Sequence, residues 1–243
     1  MEQQKTEQNK VRATLVILRH GETDYNVQKL MTGQRDIPLN DTGIAQAKEA
    51  GRVLAGFSFD KVYASHLSRA FNTAALALEH TGNHAHLQKA DGSWRVEQRP
   101  EIAEIDAGHF TGRNHKSDPE VVAWKRDFYK PVPGGESGAM ALDRVQRFYE
   151  TDVLPRLKQG ENVLIAAHSG IVRTFDIVLG FVDIPEGGSH KSMRRIENAA
   201  PLVVEFEDGI VVSSYHLENP HAKNAANGNA PVKQSKTGVK FGG

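Results

Sequence analysis

The 243-residue chain contains no cysteine. That absence excludes a thiol nucleophile, structural disulfides and thiolate metal sites. An excess of charge of either sign is also missing, since 30 Lys and Arg balance 30 Asp and Glu. A chain with no net charge is not a general binder of nucleic acid or anionic membrane, so basic residues gathered at a pocket are local machinery. No apolar run approaches the roughly 18 residues of a spanning helix, and Met1-Glu2-Gln3-Gln4-Lys5 has no apolar signal region. The expectation is a cytoplasmic protein without a membrane partner.

The length suits a single α/β domain with one sizeable core. Residues 1–10 are polar and without pattern, and from Asn219 the chain is rich in Ala, Asn, Gly and Lys with few large apolar side chains. Neither end can offset its ordering entropy, which predicts disordered tails at 1–10 and 219–243 around a domain at 11–218. Within the domain, strand-like runs alternate with helical ones. Strands are predicted at 12–18, 61–64 and 163–167, and a hairpin at 202–206 and 210–215 around Glu207-Asp208-Gly209. Helices are predicted at 41–55 with Asn40 as N-cap, at 67–79, 140–157 and 171–179. The first should bury Ile44, Ala47, Gly51 and Leu54; in the second, Arg69 falls off the stripe made by Leu67, Ala70, Ala74 and Leu78. Residues 81–93 read as a surface connection and 118–129 as a short excursion over the sheet, ended by Pro131-Val132-Pro133-Gly134-Gly135. Alternating elements of this kind predict a three-layer α/β/α sandwich with a mainly parallel central sheet.

Two of these strands end in histidine. Leu15-Val16-Ile17-Leu18 runs into Arg19-His20-Gly21-Glu22-Thr23, and Val163-Leu164-Ile165-Ala166-Ala167 into His168-Ser169-Gly170. Parallel sheets place their chemistry at such strand ends, and the glycines let backbone approach an anion. A neutral imidazole attacks phosphorus well at neutral pH, which makes His20 the candidate nucleophile. Phosphoryl oxygens call for guanidinium forks, a role that fits Arg19 and Arg69. His168 would stabilise the charge spread over the transition state. Glu104 is the candidate acid for the leaving group, because a carboxyl crowded by a phosphate dianion is driven to hold its proton. Glu101 is its rival, read as an exposed loop charge. His66, His109 and His115 lack zinc spacing, no metal site is expected, and His190 and His221 receive no role.

The set Arg-His-Gly-Glu-Thr with Asn26 beyond it, Thr32-Gly33-Gln34, Pro38-Leu39, Ser65 to Arg69-Ala70, Glu104-Ile105-Asp106-Ala107-Gly108, Pro133-Gly134-Gly135-Glu136-Ser137 and Ala167-His168-Ser169-Gly170 resembles the histidine phosphatase superfamily, the phosphoglycerate mutase-like family. The motifs run in family order over residues 12–216, and the joint order is far more specific than any one motif. The resemblance implies a phosphohistidine at His20, a phosphate pocket completed by Arg19, Arg69 and His168, and Glu104 as proton donor. It also implies phosphoryl contacts from Asn26, Thr32, Gly33 and Ser169, with no metal or organic redox cofactor. The Pro-Gly-Gly-Glu-Ser stretch reads more simply as a turn and helix start capped by Ser137.

Mutases and phosphatases of this family share the nucleophile. Trp124-Lys125-Arg126 is similar to the basic Trp-Arg-Arg stretch that bisphosphoglycerate-dependent mutases use for the substrate's second charge, although Lys125 and Arg126 read equally as solvent-facing charges. The mutase pattern Asn-Glu-Arg-x-Tyr-Gly is Ala103-Glu104-Ile105-Asp106-Ala107-Gly108 here, and His-Gly-Asn is His168-Ser169-Gly170. Those losses favour a phosphatase of a small sugar phosphate or phosphoglycerate type. The alternatives are a mutase with 2,3-bisphosphoglycerate as phosphoryl donor, and a silent phospho-ligand binder. The expected partner is a small-molecule phosphate ester; oligomeric state stays open, a homodimer being one option.

Overall fold

A computed structural model describes residues 10–124, 127–184 and 194–222. Strand β1 (Arg12–Arg19) and strand β4 (Val163–Ala167) lie at the centre of a six-stranded sheet, and β4 is buried along its whole length. Continuous Val/Leu/Ile/Ala runs form such strands because both faces of a central parallel strand are covered. With β2 (Lys61–Ala64), β3 (Val96–Gln98), β5 (Leu202–Glu207) and β6 (Ile210–His216), the sheet order is β3-β2-β4-β1-β5-β6. The β3·β2, β2·β4 and β4·β1 pairs are parallel; β1·β5 and β5·β6 are antiparallel. The β5–β6 turn uses Asp208 and Gly209, both at positive φ, as a two-residue hairpin demands.

Helices cover both faces. Helix α1 (Asp24–Val27) is a single turn closed by a Thr23/Asn26 capping box. On one face, α2 (Asp41–Val53) and α3 (Ser68–Thr81) pack Ala50, Leu54, Ala74 and Leu78 against Val16, Leu18 and Leu164. On the other, α5 (Gly138–Phe148), α6 (Leu154–Lys158) and α7 (Ser169–Val178) pack Val145, Phe148, Leu157 and Phe175 against Leu15, Ile17 and Ile165. A satellite cluster of Phe110, Val121, Trp124 and Val132 holds α4 (Pro119–Trp124) beside the sheet.

Several sequence expectations shift. The 140–157 helix is α5 and α6 joined through a π-helical turn at Tyr149–Val153. Pro155 has no N–H to donate, and the wider turn absorbs that missing bond. Ile44 is partly exposed while Gly43 and Gln46 are buried, because α2 presses its first turn on the Gly21–Glu22 backbone. The 81–93 connection contains a 3-10 turn at Ala85–Leu87, and the edge strand β3 follows it. Asn40 caps α2 as expected, its Oδ1 accepting from Gly43 N at 2.9 Å. The body extends past the expected tail boundary: Asn219 is buried and donates to the carbonyls of Gln46 (3.0 Å) and Ala199 (2.7 Å). Among the described residues, no helix is long and apolar enough to cross a membrane.

Candidate active site

Pairing of Arg19 with Ala167 brings the ends of β1 and β4 level, and His20 N donates to Ala167 O at 2.9 Å. His20 and His168 therefore leave adjacent strands side by side, with ring centroids 5.2 Å apart and planes inclined by 60°. Nδ1 of His20 lies 2.6 Å from the Gly21 carbonyl, an acceptor only, so Nδ1 carries the proton and Nε2 keeps its lone pair. Burial first, then the Arg69 and Arg19 charges, hold the His20 imidazole well below the usual histidine range. The ring is held neutral. Its mount is stiff: Asn198 donates to His20 O at 2.8 Å, Gly21 N donates to Thr73 Oγ1 at 3.0 Å, and a Cβ on Gly21 would overlap the Gly43 carbonyl.

The groups that act on His20 are the His168 ring and the Arg69 and Arg19 charges. Arg69 is fully buried, against the expectation that it lies off the packed stripe. The loop at 33–35 folds over that helix face, and Arg69 donates to Gly33 O at 2.9 Å and Arg35 O at 2.8 Å. Arg19 donates to Ile196 O at 2.6 Å. The Nε atoms of both arginines and both ring nitrogens of His168 are buried without a protein partner. Buried donors are almost always satisfied, so these groups together are chemically suited to cradle an oxyanion. Burial pulls the Arg19 guanidinium down to about 10, still charged at neutral pH. His168 is pushed well below the ordinary value, by burial and then by Arg69.

Glu104 borders the cradle. Its carboxylate accepts from Ile105 N at 3.0 Å and Gly170 N at 3.3 Å, and its charge opposes the burial-driven lowering of Arg19, Arg69 and Arg173. Glu101 instead joins Arg99 at 3.1 Å, in a cluster with Glu97 and Asp152. Asn26 Oδ1 accepts from Thr23 N at 3.2 Å and from Asn198 Nδ2 at 3.4 Å, which ties it to the loop that follows β1. Thr32 and Ser169 are half-buried, Ser169 opening α7; Gly33 has φ +50° and packs so tightly on Ala107 that a Cβ there would overlap it. Lys125, Arg126 and His190 lie outside the described residues. Among the described residues no group of three or more His, Asp or Glu could hold a metal ion.

Sequence reasoning missed two arginines. Arg173 shares the α7 face of Ser169 by the i, i+4 rule, which was the available signal. Its Nε donates to Arg194 O at 3.1 Å, while Arg194 forms a two-pronged pair with Asp176 at 2.9 and 3.0 Å. Arg144, on α5, grips Glu136 with both Nε and Nη2 at 2.9 Å. Ser137 does cap α5, accepting from Met140 N at 3.2 Å.

A family model described as the histidine phosphatase superfamily (branch 1) matches residues 15–214. A 2,3-bisphosphoglycerate-dependent phosphoglycerate mutase of Parvibaculum lavamentivorans is 34% identical over 214 residues, covering 84% of this chain and 96% of that protein. Among solved structures, a phosphoglycerate mutase from Bacillus anthracis superposes with a TM-score of 0.66 at 23% identity, over 88% of this chain and 94% of the other. A mycobacterial glucosyl-3-phosphoglycerate phosphatase gives 0.64 at 24%, over 86% and 99%. These two likenesses show the fold alone.

Proposed function

The chain belongs to the histidine phosphatase superfamily, and from that premise we propose that it moves the phosphoryl group of a small phosphorylated metabolite through a phosphohistidine at His20. On this reading Nε2 of His20 attacks phosphorus and the P–O bond to the substrate breaks. Arg19, Arg69 and His168 hold the equatorial oxygens as their charge spreads, His168 as a neutral imidazole giving one N–H. Glu104 gives its proton to the departing alkoxide and takes one from the acceptor in the return step. Asn26, Thr32, the Gly33 backbone and Ser169 complete the contacts. Guanidinium and imidazole donors do the electrostatic work, so the mechanism calls for no metal ion.

For the acceptor, the reading best supported is bisphosphoglycerate-dependent phosphoglycerate mutation. It rests on the relative bearing that name at 34% identity over 96% of its length. 2,3-Bisphosphoglycerate would then charge His20, and the substrate's carboxylate would meet cations beyond the phosphate cradle, with Arg173, Lys125 and Arg126 in that role. The phosphatase reading is favoured by one observation: where a mutase motif has arginine and tyrosine, this site has Ile105, packed on the sheet core, and Ala107, fully buried against Gly33. Incubating the protein with 3-phosphoglycerate, with and without 2,3-bisphosphoglycerate, separates them. Interconversion to 2-phosphoglycerate outrunning phosphate release is the result expected of the mutase. Phosphate release from phosphoglycerates or sugar phosphates without interconversion replaces it with the phosphatase.

A further inference from the structure

The carboxylate of Glu104 is held by two backbone amides, those of Ile105 and Gly170. Its aim therefore depends on where the 101–106 backbone lies, and that segment is irregular, following a 3-10 turn at Pro100–Ile102. Arg144 reaches it from α5. Its Nη1 donates to Glu101 O at 2.5 Å and its Nη2 to Glu104 O at 3.4 Å, while its Nε and Nη2 bind both oxygens of Glu136 at 2.9 Å. Glu136 in turn accepts from Asp106 N at 3.0 Å, and its own N–H donates to Asp106 O at 3.0 Å. Gln34 adds a bond to Glu104 O at 3.1 Å. The carbonyls on one side of the loop and the amide on the other are thus gripped by one planar fork and its carboxylate partner. Arg144 is 15% exposed at its side chain and Glu136 19%, so water does not readily replace these bonds.

We infer that Arg144, locked to Glu136, is a positioning residue that sets the Glu104 carboxyl at the leaving-group oxygen. The inference rests on Glu104 being the proton donor. On this reading the gripped segment holds the carboxyl where the leaving oxygen departs. Once the fork is removed the backbone relaxes, and the proton arrives late or from water. Esters whose leaving alkoxide needs that proton suffer; aryl phosphates, whose leaving groups depart as stable anions, do not. A lysine at 144 supplies one direction of bonding and not the fork, so it restores part of the effect.

The test uses the full-length protein as wild type, E104Q, R144M, R144K, E136Q and the R144M/E104Q double variant. Phosphoenzyme formation is followed with aryl phosphates of graded leaving-group pKa and with an alkyl phosphate, kcat and KM being read separately alongside Tm. E104Q steepens the dependence on leaving-group pKa if Glu104 is the donor. R144M then steepens it in the same sense, costing the alkyl ester about ten- to a hundred-fold in kcat while the best aryl ester stays near wild type. R144K lies between, and R144M adds no further steepening on top of E104Q. If R144M is too unstable to assay, E136Q answers the same question by weakening the grip from the other side. A uniform loss across all leaving groups, or a lowered Tm with an unchanged slope, overturns the inference and leaves Arg144 a fold-stabilising residue. An unchanged slope in E104Q overturns the proton-donor reading itself, whatever R144M does.

Discussion

Burial of two neutral histidines makes stability fall with acid in a way that can be calculated. In the folded chain His20 is 4% exposed and His168 fully buried, and both are held well below the ordinary histidine pKa, chiefly by desolvation. In the unfolded chain each titrates near pH 6.5. Below that pH the unfolded state binds protons that the native state refuses, so stability drops as pH falls, and it is fully present only above the unfolded pKa. Each histidine contributes a slope of about 1.4 kcal/mol per pH unit once its unfolded form is protonated, and the pair about 2.7. His216, lowered to about 4, adds a similar slope of its own through the same window. Urea unfolding of wild type, H20N and H168N between pH 7.5 and 5.0 isolates the active-site share, because all other groups are common to the three proteins. Each variant should flatten the plot of unfolding free energy against pH by about 1.4 kcal/mol per unit below pH 6. A variant that keeps the wild-type slope refutes the argument, for its histidine would then carry a proton in the native state and His20 could not serve as a ready nucleophile.

Three further outcomes follow from the same geometry. His20→Ala should leave the circular dichroism spectrum intact and abolish the acid-labile, alkali-stable phosphoenzyme trapped from any substrate. Arg69→Lys keeps the charge but loses the two-carbonyl anchor on Gly33 and Arg35; kcat/KM should drop by at least about a hundred-fold, as measured at saturating and limiting substrate. Gly170→Ala drives a methyl into the Glu104 carboxylate and the Ile105 side chain. Its turnover of alkyl phosphates should fall with little change in KM, and an active G170A with wild-type rates would mean that Glu104 does not need its present place.

The strands that carry the two histidines were legible because each is a short continuous apolar run rich in Val, Ile and Leu, and short motifs marked their ends. Arg69 was harder to place. A helical stripe reports which residues touch the sheet, and Arg69 is buried by a loop that lies over the opposite flank, a contact with no periodic signature. Strand β3 escaped notice for a related reason: Val96, Glu97 and Gln98 carry one apolar residue among them, and the strand exists because its neighbour β2 offers a free edge. The π-helical turn left its mark in Pro155, but a proline in a helix is also compatible with a kink or an ending. Arg144 acts through tertiary contacts with carbonyls, which sequence spacing does not reveal, whereas Arg173 shows only its shared helix face with Ser169 and not the carbonyl it meets.

The sheet order has a consequence for how the chain reaches this state. Strand β4 is inserted between β2 and β1, so the two earlier strands never meet, and a nascent chain carrying Arg19, His20 and Arg69 has a slot in its sheet until residues 163–167 arrive. Pairings this distant in sequence form slowly, and parallel ones have no hairpin to start them. The proposed phosphate cradle therefore assembles late, after β4 closes the slot and delivers His168 and the chain beyond it brings Ile196 and Asn198 to Arg19 and His20. A polypeptide released before that point carries β1 with neither neighbour and β2 with its β4-side edge open, the form in which incomplete sheets find each other and aggregate.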